Sequence, residues 1–153
     1  FATLVLSGGA PELNEHFRRL VAAARALGAT VIDRCNLTIL EEPGHEDLAD
    51  FLCREQVQIV ASLPCYSQSN VDRQRGEGVF DKSIRALQRL NALGYGADGA
   101  GNAIPPGASL VFVCNPGNPT GESIANADLQ RLARLQGLRV VVRLERHDAR
   151  HAQ

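Results

Sequence analysis

The chain has 153 residues, of which 44% are apolar and 22% charged, and its formal net charge is −1. This length predicts one domain with a core that needs no disulfide or metal, and the near-neutral charge excludes a strongly basic surface for nucleic acid or an anionic membrane. No apolar run approaches the roughly 18 residues that a transmembrane helix needs, so we expect a soluble, cytoplasmic protein whose partner is a small molecule.

Short apolar runs alternate with helical patterns along the chain and predict five strands. The predicted strands are Thr3–Ser7, Thr30–Asp33, Gln58–Leu63, Ser109–Cys114 and Leu138–Val142. Between them, apolar residues recur at helical spacing, and Gly28 is placed to end the first helix in the left-handed conformation. Continuous Val, Ile and Leu runs predict parallel strands that are covered on both faces and joined by helical crossovers.

The fold class is therefore α/β, with parallel strands and alternating helices. A complete eight-fold barrel needs roughly 250 residues, so the chain can form a partial barrel of about five βα units. An open doubly wound sheet fits the same pattern. We expect one domain over residues 1–145 and a disordered polar tail over 146–153. Because the chain enters a strand directly after Phe1, we expect its start to be a cut end.

In both architectures, ligands bind where the parallel strands end. The first predicted strand runs into Ser7, Gly8, Gly9, Ala10, Pro11 and Glu12. The two glycines allow a tight turn that exposes backbone polar groups, and Glu12 adds a carboxylate near a helix start. This spacing is not GxGxxG, so it does not predict a dinucleotide site. A plain connection between strand and helix is the alternative.

This segment resembles the Gly-Gly-Glu type motif of radical SAM enzymes, which receives the methionine amino group of S-adenosylmethionine. The stretches Asp33–Thr38, Ala61–Tyr66, Asn70–Phe80 and Leu90–Gly96 extend the resemblance to the arsenosugar-biosynthesis radical SAM proteins, a radical SAM/Cys-rich family, over about residues 3–100. The resemblance implies that the S-adenosylmethionine site comprises Ser7, Gly8, Gly9, Ala10, Pro11, Glu12, Asn36, Ser62 and Asn115. It also implies that Cys35 and Cys65 hold an arsenical substrate, and packing as small buried apolar residues is the alternative for both.

Radical SAM chemistry requires a 4Fe–4S cluster on a C-x-x-x-C-x-x-C loop. The four cysteines of this chain, Cys35, Cys53, Cys65 and Cys114, have neither that spacing nor the C-x-x-C spacing of a zinc or redox site. We therefore expect reduced thiols, no metal site within the chain, and the cluster only in a full-length member of the family, where its loop would precede Phe1.

A second motif occupies Val113–Gly121 and reads VCNPGNPTG. Residues 104–121 resemble the Asn-Pro-x-Asn-Pro-Thr-Gly segment of fold-type I aminotransferases, and the similarity runs to about Val142. The resemblance implies that Asn118 bonds the phenolic oxygen of pyridoxal phosphate. However, Arg143 follows the next strand where that family has an Asp, and Lys82, the only lysine, lies in the other half of the chain. Alternatively, Asn115 and Pro116 simply continue the barrel, or the segment is a capped turn.

Three functions follow from these two motifs. The first is a fragment of a radical SAM core that retains part of the S-adenosylmethionine site and is inactive alone. The alternatives are a fragment of a pyridoxal-phosphate aminotransferase and a non-catalytic α/β scaffold. A natural fusion, an engineered chimera and a mis-joined reading frame all remain open, as does the oligomeric state.

Overall fold

A computed structural model of the chain describes residues 2–62, 68–69, 72, 76–96, 110–113, 126–139 and 141–143. Its sheet has five parallel strands in the sequential order β1-β2-β3-β4-β5. The strands are β1 (Thr3–Leu6), β2 (Thr30–Asp33), β3 (Gln58–Ser62), β4 (Leu110–Val113) and β5 (Val141–Arg143). The predicted α/β class with parallel strands is therefore confirmed.

The described helices alternate with these strands. They are α1 (Phe17–Ala26), α2 (Leu48–Arg54), α3 (Val79–Ala92) and α4 (Asn126–Leu135), together with two short 3-10 helices at Pro11–Leu13 and Leu37–Glu41. Gly28 follows α1 with a φ of 76°, so it has the left-handed conformation that the sequence predicted. None of the helices in the described part of the chain is both long and apolar enough to cross a membrane.

The sequential strand order bears on the two predicted architectures. A doubly wound sheet reverses its strand order at a switch point, which is where its ligands bind. Among the described strands no such reversal occurs, because each strand pairs with the next one in the chain. These strands do not close a circle either, since β1 and β5 lie at opposite edges.

The hydrophobic core lies between the sheet and the helices. Val31 of β2 and Ile59 of β3 are fully buried in the same core cluster as apolar residues of α2 and α3. The apolar residues of α3 recur at helical spacing and therefore form one face of the helix. Helix α3 packs against the 3-10 helix at Leu37–Glu41. The helical residues in this core include Leu48, Ala49, Leu52, Phe80, Ile84, Leu87 and Leu90.

Strand β1 differs from the expectation that every strand is covered on both faces. Val5 is 50% exposed, and Leu4 and Leu6 are only partly buried. The cause is its position, because β1 is the edge strand of the described sheet and only β2 pairs with it. A continuous apolar run therefore does not by itself place a strand in the middle of the sheet.

Strand β5 begins at Val141 and not at Leu138 as predicted. The Leu138 N–H donates to the carbonyl of Ala133 (2.7 Å), which completes the end of α4. The next N–H, that of Arg139, donates to Oδ1 of Asn91 (2.8 Å) and not to a neighbouring strand. Because the N–H groups of Leu138 and Arg139 are bonded in this way, the strand begins further along the chain, at Val141.

The contact between Asn91 and Arg139 holds the end of α3 against the segment before β5. Asn91 Nδ2 donates to the carbonyls of Arg139 (2.8 Å) and Tyr95 (2.9 Å), and the Arg139 guanidinium donates to the Asn91 carbonyl (2.7 Å). The Tyr95 hydroxyl in turn donates to the carbonyl of Val57 (2.9 Å). We call Asn91, Tyr95 and Arg139 the amide cluster.

Candidate functional site

The carboxyl ends of β1, β2 and β3 meet at one edge of the sheet. Two backbone hydrogen bonds connect them beyond the regular ladder: the Arg34 N–H donates to the carbonyl of Leu6 (2.9 Å), and the Cys35 N–H donates to that of Val60 (3.0 Å). The Gly8-Gly9 turn and the residues that follow β2 therefore lie side by side. This is the edge at which parallel α/β sheets bind ligands.

A cleft of about 440 Å³ opens at this edge. Its walls come from the Gly-Gly turn, the segment after β2 and the first residue of α3; they are Gly8, Gly9, Arg34, Cys35, Asn36, Thr38 and Val79. Apart from their chain neighbours, no atom of the described residues lies within 4 Å of the position that a Cβ would take on Gly8 or Gly9. The two glycines thus leave space in which a ligand can approach the backbone closely.

Asn36 connects the two sides of the cleft. Its Nδ2 donates to the Gly9 carbonyl (3.3 Å), while its Oδ1 accepts from Oγ1 (2.9 Å) and from the N–H (3.4 Å) of Thr38. Asn36 therefore caps the 3-10 helix at Leu37–Glu41 and also fixes the Gly-Gly turn. An amide that caps a helix locally and bridges to another loop gives the cleft a defined shape.

Glu12 lies behind the cleft and not on its wall. Its side chain is buried, with 5% exposure, and Oε1 accepts the backbone N–H of Asn36 (2.8 Å). Sequence analysis expected this carboxylate to face the ligand. In the structure it instead accepts a hydrogen bond from the backbone of Asn36, the residue that bridges the cleft. Glu12 therefore helps to position Asn36 and does not contact the cleft itself.

Asp33, the last residue of β2, is fully buried beside Glu12. The pKa of Asp33 is raised to about 8, first by burial and then by the negative charge of Glu12 and a hydrogen bond with that carboxyl group. With both carboxyl groups ionised, neither Asp33 oxygen meets a donor among the described residues, and the same is true of Glu12 Oε2. The hydrogen bond between the two groups therefore requires a proton, and the raised pKa keeps that proton on Asp33 at neutral pH.

Cys35 lies close to Glu12 and Asp33 and also lines the cleft. Its side chain is buried, and burial raises the pKa of the Cys35 thiol well above its ordinary value, as do the charges of Glu12 and Asp33. The thiol is therefore protonated at neutral pH in the free protein. The Sγ atom and one carboxylate oxygen each from Glu12 and Asp33 lie within 4.8 Å of one another. We call these three residues the acid–thiol cluster.

The acid–thiol cluster was not predicted from the sequence, which led us to expect no metal site in this chain and placed Asp33 only at the end of a strand and at the start of a stretch that carries the resemblance. The available signal was a polar residue at the end of the otherwise apolar strand Thr30–Asp33. Arg34, Thr38 and Val79 also line the cleft without having been among the predicted site residues.

The other predicted site residues have different positions. Ser7 is exposed after β1, Ala10 and Pro11 lead into the first 3-10 helix, and Ser62 is the last residue of β3. Cys65, Asn115 and Asn118 lie outside the described residues, as does the predicted tail at 146–153. Lys82 is half-exposed on α3, where its Nζ donates to Oε1 of Glu42 (2.8 Å).

Comparison with known proteins relates part of the chain to aminotransferases. No family model matches the chain. Histidinol-phosphate aminotransferases from Listeria monocytogenes serotype 4b, strains CLIP80459 and F2365, are each 29% identical to it over 87 residues, which is 57% of this chain and 24% of theirs. The chain thus matches about a quarter of the length of these curated relatives.

This similarity supports the aminotransferase resemblance weakly and gives the radical SAM resemblance no support. Only fifty residues lie between Ile104 and the end of the chain, so an 87-residue match must also include residues that precede Ile104. The likeness is therefore not confined to the motif at Asn115–Gly121.

Proposed function

We propose that this chain is a catalytically incomplete α/β domain that binds a small-molecule cofactor at the carboxyl edge of its parallel sheet. The observation that carries the proposal is the cleft beside Gly8 and Gly9, where the backbone is open to a ligand and Asn36 holds both walls together. A volume of about 440 Å³ is within the range of roughly 300–1,000 Å³ that small-molecule sites occupy.

By the sequence resemblance, S-adenosylmethionine is the first candidate for the cofactor of this cleft. The Gly-Gly turn and Asn36 belong to the part of the sequence that resembles radical SAM proteins, and the sequential strand order suits the wall of a partial barrel. Backbone groups of Gly8 and Gly9 would receive the methionine end of the ligand in the space where a Cβ is absent. Bound S-adenosylmethionine supplies a 5′-deoxyadenosyl group when a reduced iron–sulfur cluster is present.

The curated relatives favour a second candidate, pyridoxal phosphate. Its support is the 29% identity to the two aminotransferases, together with the motif at Asn115–Gly121. Asn118 is the residue that would contact this cofactor by resemblance. Lys82 is a poor candidate for attaching it, because its ammonium group is paired with Glu42 on the surface of α3.

Parallel titrations with the two cofactors distinguish these candidates. We expect S-adenosylmethionine to bind the chain in roughly the high-micromolar to millimolar range by calorimetry, because the cluster that would chelate it is not supplied. Gly9→Val should weaken this binding at least tenfold by filling the space beside the turn, and Asn36→Ala should weaken it less. Asn14→Ala, a substitution of an exposed turn asparagine, is the matched control and should have no effect.

Other outcomes of these titrations would change the assignment. Equal affinity of the parent chain, Gly9→Val and Asn36→Ala for S-adenosylmethionine would remove the cofactor role of the cleft. Binding of pyridoxal phosphate that survives Gly9→Val and is lost in Asn118→Ala would establish the second candidate. Failure of the folded chain to bind either cofactor would overturn the proposal in favour of a scaffold.

A further inference from the structure

We propose that the acid–thiol cluster is a zinc site, in which Glu12, Asp33 and Cys35 supply three protein ligands behind the cleft. One ligand atom from each residue lies within 4.8 Å of the other two, and all three side chains are buried. The site goes beyond the proposed function, because neither candidate cofactor requires it.

Unpaired oxygen atoms in the cluster are the first argument. Both carboxylate oxygens of Asp33 and Oε2 of Glu12 are buried without a donor among the described residues. Buried charged groups are normally paired, or they coordinate a metal, because an uncompensated buried charge costs several kcal/mol or more. A divalent cation among these atoms would compensate both carboxylates at once.

The set of ligands is the second argument. Zinc binds cysteine sulfur and carboxylate oxygen together, and reactive zinc sites use three protein ligands while a fourth position remains open. Cys35 is both a member of the cluster and part of the cleft wall. A metal can therefore reach the cluster from the cleft, and its open position would face a ligand bound there.

The hydrogen bond between Glu12 and Asn36 is the third argument. Carboxylates that bind metals are held in place by further hydrogen bonds, which fix their orientation. Oε1 of Glu12 accepts the Asn36 N–H at 2.8 Å, while Oε2 has no donor among the described residues and is free to bind a metal. Glu12 would thus link the proposed metal to Asn36, the residue that bridges the two sides of the cleft.

Protons and zinc compete for this cluster. Without metal, Asp33 and the thiol of Cys35 each keep a proton, because burial raises the pKa of both groups. A bound divalent ion reverses this preference, because its charge is larger than that of any neighbouring group and it deprotonates a coordinating thiol outright. Zinc binding would therefore displace those protons.

Metal titration of the purified, chelator-treated chain tests the proposal. We expect one Zn²⁺ per chain, and with Co²⁺ as the probe a thiolate-to-cobalt charge-transfer band in the near ultraviolet. Cys35→Ser should abolish this band, while Cys53→Ser should retain it, since the Cys53 thiol donates to the Leu93 carbonyl elsewhere (3.3 Å). Asp33→Asn should weaken zinc binding more than tenfold, and the exposed control Glu15→Gln should not.

Folding of each variant is checked by far-ultraviolet circular dichroism, and binding is measured a second time as the rise in melting temperature on adding Zn²⁺. Equal zinc affinity of the parent chain and Cys35→Ser would overturn the proposal. So would a parent chain that is folded but gains neither a cobalt band nor thermal stability from the metals.

Discussion

Two buried polar clusters in this protein differ in how their hydrogen-bonding groups are used. In the amide cluster, the side-chain donors and the acceptor of Asn91 have partners, as does the hydroxyl of the fully buried Tyr95. In the acid–thiol cluster, three carboxylate oxygens of Glu12 and Asp33 have no donor among the described residues. Asn91 and Tyr95 are buried, as are Glu12, Asp33 and Cys35, and only Arg139 among these residues is exposed. For the buried residues, the difference therefore lies in their polar partners and not in their access to solvent.

This difference separates a structural role from a functional one. A buried polar network whose groups are all paired makes the fold rigid, whereas unpaired buried groups call for an explanation such as a bound ion or a reaction. Asn91 therefore holds the end of α3 to the segment before β5. Glu12, Asp33 and Cys35 lie at the edge of the sheet where ligands bind, and we interpret them as part of a site.

The largest expected effect of a single substitution, measured at one pH, comes from Asn91→Ala. The substitution removes three side-chain hydrogen bonds, of which the bond to the Tyr95 carbonyl is buried and the two to the Arg139 backbone are partly buried. We expect the free energy of unfolding to fall by about 3 kcal/mol, as measured by urea denaturation. Gln88→Ala is the control on the same helix, because this exposed side chain makes one long hydrogen bond (3.3 Å) and its loss should change stability little.

The second effect is steric and also affects the amide cluster. Gly96 has a φ of 138°, and a Cβ on it would lie 2.3 Å from the Arg139 carbonyl oxygen. Gly96→Ala should therefore cost about 2 kcal/mol of stability, whereas Gly9→Ala, with nothing near its Cβ position, should not destabilise the fold comparably. Equal melting temperatures for the parent chain and Gly96→Ala would show that Arg139 is not held at this position.

The third effect is the pH dependence of folding stability that arises from Asp33. Because the pKa of Asp33 is raised from 3.8 to about 8 on folding, the folded chain keeps a proton that the unfolded chain loses. This contribution to stability is complete below about pH 4 and is lost as the pH rises toward 8, by up to about 1.4 kcal/mol per pH unit. Urea denaturation in the presence of a chelator measures it. Asp33→Asn should flatten this dependence, and a parent profile that rises over the same range would contradict our assignment.

The smallest effect is expected at the surface. Lys82→Met removes the ion pair between Lys82 and Glu42, whose side chains are each 41% exposed, and should cost less than about 1 kcal/mol. It should also leave cofactor and zinc binding unchanged, because Lys82 is part of neither the cleft wall nor the acid–thiol cluster. Loss of pyridoxal phosphate binding in this variant would give Lys82 a role that its ion pair argues against.

Local sequence patterns predicted much of the sheet and the location of the cleft. Apolar runs located all five strands, and the rule that ligands bind at the carboxyl edge of parallel strands pointed to Gly8, Gly9 and Asn36. These inferences succeed because a strand is recognised from neighbouring residues, and because a parallel sheet brings the strand ends to one edge.

Features that depend on distant residues were not predictable in the same way. The start of β5 is set by the hydrogen bond from the Arg139 N–H to Asn91, whose position no local pattern reveals. The raised pKa of Asp33 requires its burial beside Glu12, which comes from the preceding strand connection. The direction of Glu12, toward the interior and not toward the cleft, likewise follows from its bond to the Asn36 backbone.

The central claim is that the edge formed by β1 and β2 is a binding site and not a plain connection. The most direct test is a series of two-dimensional amide NMR spectra of the chain as S-adenosylmethionine is added. We predict concentration-dependent shifts of the amide signals of Gly8, Gly9 and Asn36, with those of Leu90 and Arg139 in the amide-cluster region unchanged. Spectra in which the signals of Gly8, Gly9 and Asn36 stay fixed at millimolar ligand would contradict the claim.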